Sequence, residues 1–326
     1  MARRPRVLTW HVHGSYLAYL ARGDYDLYLP VRADRAHPYG GRTSSFEWPD
    51  NVYEVPVEDV PRLELDLIMY QSKANYLEDR FAILSAAQRR LPQVYLEHDP
   101  PLEHPAQTRH VVDDPDVLLV HVTHFNELMW DAGRTPTRVV AHGVVAPDGV
   151  EWTGELRRGI TVANNLYRRG RRTGPDVFDR ARARVPLDLL GMGSEDGDGI
   201  GEVPLREVPG VAARYRFFFN PIRYTSLGLA VCEAMMLGMP VVALATTEQP
   251  AVMRDGVTGF VDTDVERLVA GMQALLDDED LARRMGAAAR ERARELFDLG
   301  RFVLDWERTF REVAGMPVRE RVGSAA

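Results

Sequence analysis

Residues Asn220 to Val242 read NPIRYTSLGLAVCEAMMLGMPVV, and this stretch decides the fold. An apolar run over 217–220 reads as a short strand that ends at Pro221. The residues over 227–237 have helical composition, and Gly238 and Pro240 stop that helix before a buried strand over 240–244. Strand, helix and strand in such close succession form a βαβ unit, which requires a parallel sheet. Thr225 or Ser226 is expected to cap the helix. The free backbone N–H groups of Ser226, Leu227 and Gly228 would then make a site for a phosphate or pyrophosphate. Glu233 lies about two turns into this apolar helix, where a carboxylate either faces solvent or accepts hydrogen bonds from a ribose diol.

The same alternation extends in both directions. Toward the N-terminus, strands are predicted over 6–10, 25–31, 65–70, 93–97, 117–122 and 137–141, with helices over 15–22 and 76–90. It restarts with a strand over 160–163, a helix over 175–183, and strands over 187–190 and 217–220. Three helices follow over 265–276, 281–297 and 302–313, each with apolar residues three and four apart. The acidic run Asp277 to Asp280 reads as a helix start, where the dipole favours negative charge. A polar segment over 146–159, interrupted by Pro147, Gly149 and Gly154, reads as a linker. The expected organisation is α/β: two Rossmann-like doubly wound domains over 1–147 and 148–304, facing across a cleft, with a C-terminal helix at about 305–326 packing back on the first. Open parallel sheets bind ligands beyond the carboxyl ends of their strands.

Composition narrows the class. With 326 residues, 45% apolar and 27% charged, the chain is globular and large enough for two domains. Forty basic against 48 acidic side chains leave a charge of −8, which argues against binding nucleic acid. Lys73 is the only lysine, so 40 − 1 leaves 39 arginines, suited to bidentate anion binding. The single Cys232 excludes an intrachain disulfide and a cysteine zinc site. The first ten residues resemble neither a secretory signal nor a membrane span. A cytoplasmic location is expected, and no peripheral membrane contact is indicated.

The 220–242 stretch resembles the donor-binding signature of retaining GT-B glycosyltransferases of family 4 (glycosyl transferases group 1). The resemblance continues through Glu248 to Phe260 and the helical tail. Gly143-Val144-Val145 resembles that family's domain-boundary motif, and Leu187 to Gly193 its central strand and glycine turn. Similarity covers roughly 139–313, whereas the first 138 residues match in layout only. It implies the GT-B fold and a cytosolic, metal-independent glycosyltransferase that moves a sugar from a nucleotide diphosphate sugar to a small-molecule or glycan acceptor with retention of configuration. No cofactor beyond that co-substrate is implied.

Residue by residue, the resemblance gives Glu233 the ribose. The family's first glutamate, eight positions earlier, is Thr225 here, so contact with the transferred sugar comes from Thr225, from backbone or from elsewhere, or activity is lost. The cluster Arg168, Arg171 and Arg172 is expected to neutralise a diphosphate. The family's basic pair aligns with Asn165 and Thr173, which puts Asn165 among the donor-side residues. His98, after the strand over 93–97, looks like the family's acceptor-domain histidine, with a plain loop histidine as the alternative. His13, Gly14 and Ser15 follow the first strand as an acceptor-side loop, with Ser15 as a helix cap. His121 and His124 read as strand-end histidines, and no metal site is expected. Asp113-Asp114-Pro115-Asp116 reads as a turn. Two other functions fit such a fold: a non-hydrolysing nucleotide-sugar epimerase, and an inactive nucleotide-sugar-binding protein.

Overall fold

A computed structural model describes residues 3–318. Two compact units divide them, one formed by the chain up to Ala141 and again from Gly300, the other by His142–Leu299.

The first unit is a seven-stranded sheet of β1 (Arg6–Thr9), β2 (Asp26–Val31), β3 (Val52–Pro56), β4 (Leu67–Tyr70), β5 (Gln93–Glu97), β6 (Val117–His121) and β7 (Thr137–Val139). The order β3-β2-β1-β4-β5-β6-β7, parallel throughout, places the topological switch between β1 and β4. Central strands such as β4, LIMY, are buried at every position, as a sheet covered on both faces demands. Helices α1 (Gly14–Leu20), α2 (Arg80–Ile83) and α3 (His124–Met129) lie between strands in the chain order.

The second unit has five parallel strands, β8 (Leu156–Val162), β9 (Leu187–Leu190), β10 (Tyr215–Asn220), β11 (Val241–Leu244) and β12 (Gly259–Asp262), in the order β12-β11-β10-β8-β9. Its switch lies between β8 and β10. The helices are α4 (Pro175–Arg182), α5 (Val208–Ala212), α6 (Leu229–Leu237), α7 (Gln249–Val252), α8 (Val265–Asp277) and α9 (Glu279–Leu296). Phe178, Leu189, Phe217, Phe219, Val242 and Met272 are buried together in its core. Asp264 and Asp278 cap α8 and α9, accepting from Glu266 N and Leu281 N, each at 2.9 Å.

Helix α10 (Leu299–Val313) then carries the chain back to the first unit. Its apolar stripe Phe302, Trp306 and Phe310 is fully buried, and Trp306 Nε1 donates to Tyr16 Oη at 3.0 Å. Arg138 adds an ion pair to Glu312 at 2.6 Å.

Several expectations need correction. The boundary lies at 141/142 rather than 147/148, because Val144 N donates to Phe297 O at 3.0 Å and ties that stretch to the second unit. The return begins at Gly300, the final helix ends at Val313, and residues 319–326 lie outside the described residues. The last four residues of the expected linker are strand: β8 starts at Leu156, and Thr153 N and Leu156 N bond Ala213 O and Arg214 O. Strand β3, VYEVP, escapes the sequence reading as an edge strand with Tyr53 and the terminal Pro56 exposed. The helix expected over 76–90 is broken into a wide turn at Asn75–Asp79, α2, and a short turn at Gln88–Arg90. Ser85 and Gln88 exchange side-chain-to-backbone bonds, a capping box that starts a new turn where continuation was expected.

Candidate functional site

At the carboxyl edge of the second sheet, the loop over 221–228 leaves β10 beside the loop over 163–174 that leaves β8. This is the switch point at which open α/β sheets bind ligands. Four hydrogen bonds fix the 221–228 loop. Arg223 N and Tyr224 N donate to Arg172 O at 3.0 and 3.2 Å, and Thr246 Oγ1 donates to Ile222 O at 3.2 Å. At the loop's far end buried His142 contacts Leu227 O through Nε2 at 2.9 Å, so that nitrogen carries the proton. Gly174 makes the loop pair possible: its φ is +79°, and a Cβ there would stand 2.0 Å from Pro221 O.

Helix α6 begins at Leu229 with Gly228 as its N-cap, so neither Thr225 nor Ser226 caps it. Gly228 and the Leu229 start place Glu233 one turn into the helix instead of two. The N–H groups left without intrahelical acceptors accordingly lie at the start of α6, past Ser226 and Leu227. Thr225 and Glu233 are both half-buried, whereas Ser226 and Leu227 are buried.

The arginines sort into two kinds. Arg168 forks onto Asp196 at 2.6 and 3.1 Å and reaches Glu195 at 3.3 Å. Arg171 pairs with Asp176 at 2.9 Å, and Arg223 grips the same carboxylate at 2.5 and 2.6 Å. Arg223 holds the Asp176 carboxyl below its usual range, and Arg168 does the same to Asp196. Arg172, half-buried, has no ion pair among the described residues. Asn165 serves through its backbone: with φ +55° it donates N–H to Met192 O at 2.6 Å, while Asn164 Oδ1 accepts from Met192 N at 3.0 Å, tying the glycine turn to the β8 loop. Thr173 is buried and bonds Leu166 O and Gly170 O, so it shapes the loop from inside.

The first unit has its own cluster at the β1/β4 switch. His98 follows β5 and His13 precedes α1, with ring centroids 3.8 Å apart and Tyr16 edge-on to His98 at 4.7 Å. Burial lowers the His13 pKa. Gly14 lies under the ring of Phe46, where a Cβ would come within 2.6 Å. Ser15 is inside α1; the N-cap is His13, without a side-chain bond, so Ser15 is not a cap. His11 sits edge-on to Trp48 at 5.3 Å. The backbone at His98 is pinned by Asn126 Nδ2 on His98 O at 3.1 Å, by Glu97 Oε1 on Asp99 N at 2.9 Å, and by Trp130 Nε1 on Asp99 O at 2.8 Å.

Sequence reasoning missed Gln71, His142, Thr246 and Arg223. His142 and Arg223 had a signal, the first standing directly before the Gly143-Val144-Val145 motif and the second lying inside the 220–242 stretch; Gln71 and Thr246 act through partners distant in sequence. His121 is fully buried at the end of β6, and His124 starts α3 in solvent. Asp113 is held by Arg109 and Arg134, a surface turn. Among the described residues no group of three or more His, Cys, Asp or Glu could hold a metal ion, and no helix is long and apolar enough to cross a membrane.

Residues 198–292 match the family described as Glycosyl transferases group 1. D-inositol 3-phosphate glycosyltransferases of Mycobacterium bovis and Mycobacterium tuberculosis are 28% identical over 195 residues, covering 49% of this chain and 40% of each relative. The chain thus spans well under half the length of these relatives. Among solved structures, a sucrose-phosphate synthase from Thermosynechococcus elongatus aligns with a TM-score of 0.71 at 16% identity over 96% of this chain and 100% of that one. HepE from Anabaena, in complex with UDP and glucose, aligns at 0.65 and 14% identity over 95% and 99%. The two parallel-sheet units have the GT-B α/β fold, and the 221–228 loop with α6 falls inside the segment similar to group 1 glycosyl transferases.

Proposed function

We propose that the chain is a glycosyltransferase that takes a sugar from a nucleotide diphosphate sugar and transfers it, with retention of configuration, to a hydroxyl acceptor. The observation that carries this reading is the anchored 221–228 loop leading into α6 at the β8/β10 switch, within the stretch that matches the glycosyltransferase family. In this reading Glu233 accepts from the ribose, the start of α6 and Arg172 take the diphosphate, and Thr225 stands beside the sugar. The leaving diphosphate is stabilised by fixed dipoles and guanidiniums, with no covalent nucleophile and no metal. Its departing oxygen receives the acceptor proton. On the first unit, His98 and His13 contact the acceptor. UDP in the HepE complex supports a uridine diphosphate donor, and the curated relatives' name supports testing a polyol phosphate as acceptor.

A thermal-shift screen against UDP-, GDP-, ADP- and TDP-sugars, followed by an assay of nucleoside diphosphate release with an acceptor panel, tests the proposal. Release that depends on acceptor, with the donor's anomeric configuration kept in the product, is expected. Conversion of the donor alone would mark an epimerase, and binding without release an inactive protein. Thr225→Glu is expected to slow release about fivefold, one hydrogen bond's worth, while nucleoside diphosphate affinity is unchanged.

A further inference from the structure

Gln71 is the first residue past β4, 4% exposed, at the switch point of the first sheet. Its amide bridges the two strands there, with Nε2 at 2.8 Å from both Thr9 Oγ1 and Trp10 O. Trp10 O is a carbonyl and only accepts, so the nitrogen end of the amide faces it and both N–H groups are used on the β1 side. The oxygen end is then fixed on the opposite side, where Oε1 lies 3.4 Å from His98 Nε2. An amide oxygen has no proton to give. A bare Nε2 would set two lone pairs against each other.

We infer that Gln71 is a positioning residue that fixes the tautomer of His98, holding the proton on Nε2 and leaving Nδ1 as the basic nitrogen. The backbone bonds from Asn126, Glu97 and Trp130 described above keep His98 from escaping this geometry by moving its main chain. Rotation of the ring is opposed as well, because His13 lies against one face at 3.8 Å between centroids and Tyr16 meets it edge-on. The inference deepens the proposed function and rests on its placing His98 beside the acceptor. With its proton on Nε2, His98 meets an acceptor hydroxyl as a hydrogen-bond acceptor through Nδ1, and does not donate to it through Nε2. That favours hydroxyl donors over carbonyl or deprotonated groups at this position.

The test needs no substrate, so its failure is distinct from failure of the transferase reading. Two-bond nitrogen–proton NMR spectra of the full chain labelled with ¹⁵N-histidine, at pH 8 where an ordinary imidazole is neutral, report which ring nitrogen is protonated. Comparison with His98→Gln assigns the His98 signals. The expected result is a protonated-type shift at Nε2 and a bare-type shift at Nδ1. In Gln71→Leu, which removes the acceptor at similar size, the two shifts move toward each other as the tautomers mix. A native spectrum with the proton on Nδ1 overturns the inference without any variant. A folded Gln71→Leu chain with the native pattern overturns it too.

Discussion

At the carboxyl edge of the second sheet, Arg168, Arg171 and Arg223 are held by Asp196 and Asp176; at the corresponding edge of the first, two imidazoles and an amide meet instead. Both edges arise from one topology, a parallel sheet that reverses its direction of growth at a central strand pair. The topology supplies the place, and the loops supply opposite chemistries. A mesh of exchangeable charges suits a diphosphate, which can replace the internal carboxylates as an arginine partner. Imidazole and amide groups held at fixed angles suit hydroxyl groups, which gain little from strong fields but much from direction.

The comparison breaks most severely at Gly174. Gly174→Val forces a side chain into a left-handed backbone and against Pro221 O, and should cost about 3 kcal/mol of stability in urea denaturation followed by fluorescence. Nucleotide binding by the remaining folded protein should also weaken, while a change on the first unit's edge would leave it intact. Glu233→Ala should weaken nucleoside diphosphate binding by about 2 kcal/mol without unfolding the chain, measured by calorimetric titration. An unchanged affinity would remove the ribose from the second edge.

The first unit has a stability signature of its own. Burial lowers the His121 pKa from 6.5 to about 3. Above pH 6.5 both folded and unfolded states are neutral there and the residue is indifferent to pH. As pH falls below 6.5 the unfolded chain takes up a proton that the folded one refuses, so folding weakens until about pH 3. At pH 5 the penalty is about 2 kcal/mol, from about 1.4 kcal/mol per unit. His121→Leu should therefore gain about that much at pH 5 relative to its own effect at pH 8, in parallel denaturation curves.

The smallest effect sharpens the contrast. Asp176→Asn keeps the shape of the acid but releases its claim on Arg171 and Arg223, both in solvent-accessible ion pairs. Such pairs are worth up to about 1 kcal/mol. Nucleoside diphosphate affinity should rise by up to about fivefold at low salt, with the gain shrinking as salt screens the arginines. A loss of affinity would mean that Asp176 orients Arg223 for the ligand.

Much of this was legible before the structure. Strands β5 and β9 match their expected ends, because buried parallel strands are short apolar runs bounded by polar turns. Helix α9 announces itself through the acidic run Asp277 to Asp280, of which Asp278 is the cap. Legibility fails where partners are remote. The sequence shows four arginines close together over 168–172, but Asp196 and Arg223, which divide their roles, come into reach only when β9 and β10 flank β8. Gln71 carries no pattern at all, since its meaning lies in Trp10 and His98 on either side. The cap at 225 or 226 failed for a local reason: Ser and Thr are good caps, yet the chain there is still bent and tied to His142 and Arg172, and it turns helical only after Gly228.

Helix α10 has a consequence for the order in which the protein is made. The ribosome delivers the seven strands of the first sheet before the second unit, but the residues that fill one face of that first unit, Phe302, Trp306 and Phe310, emerge only after all of the second. His142–Leu299 is contiguous and can close as soon as it has been synthesised. The first unit must wait, with Tyr16 lacking Phe302 and Tyr25 lacking Phe310. Folding therefore finishes at the end that began it, and a ribosome stalled just short of α10 would leave the later-made unit complete and the earlier one open.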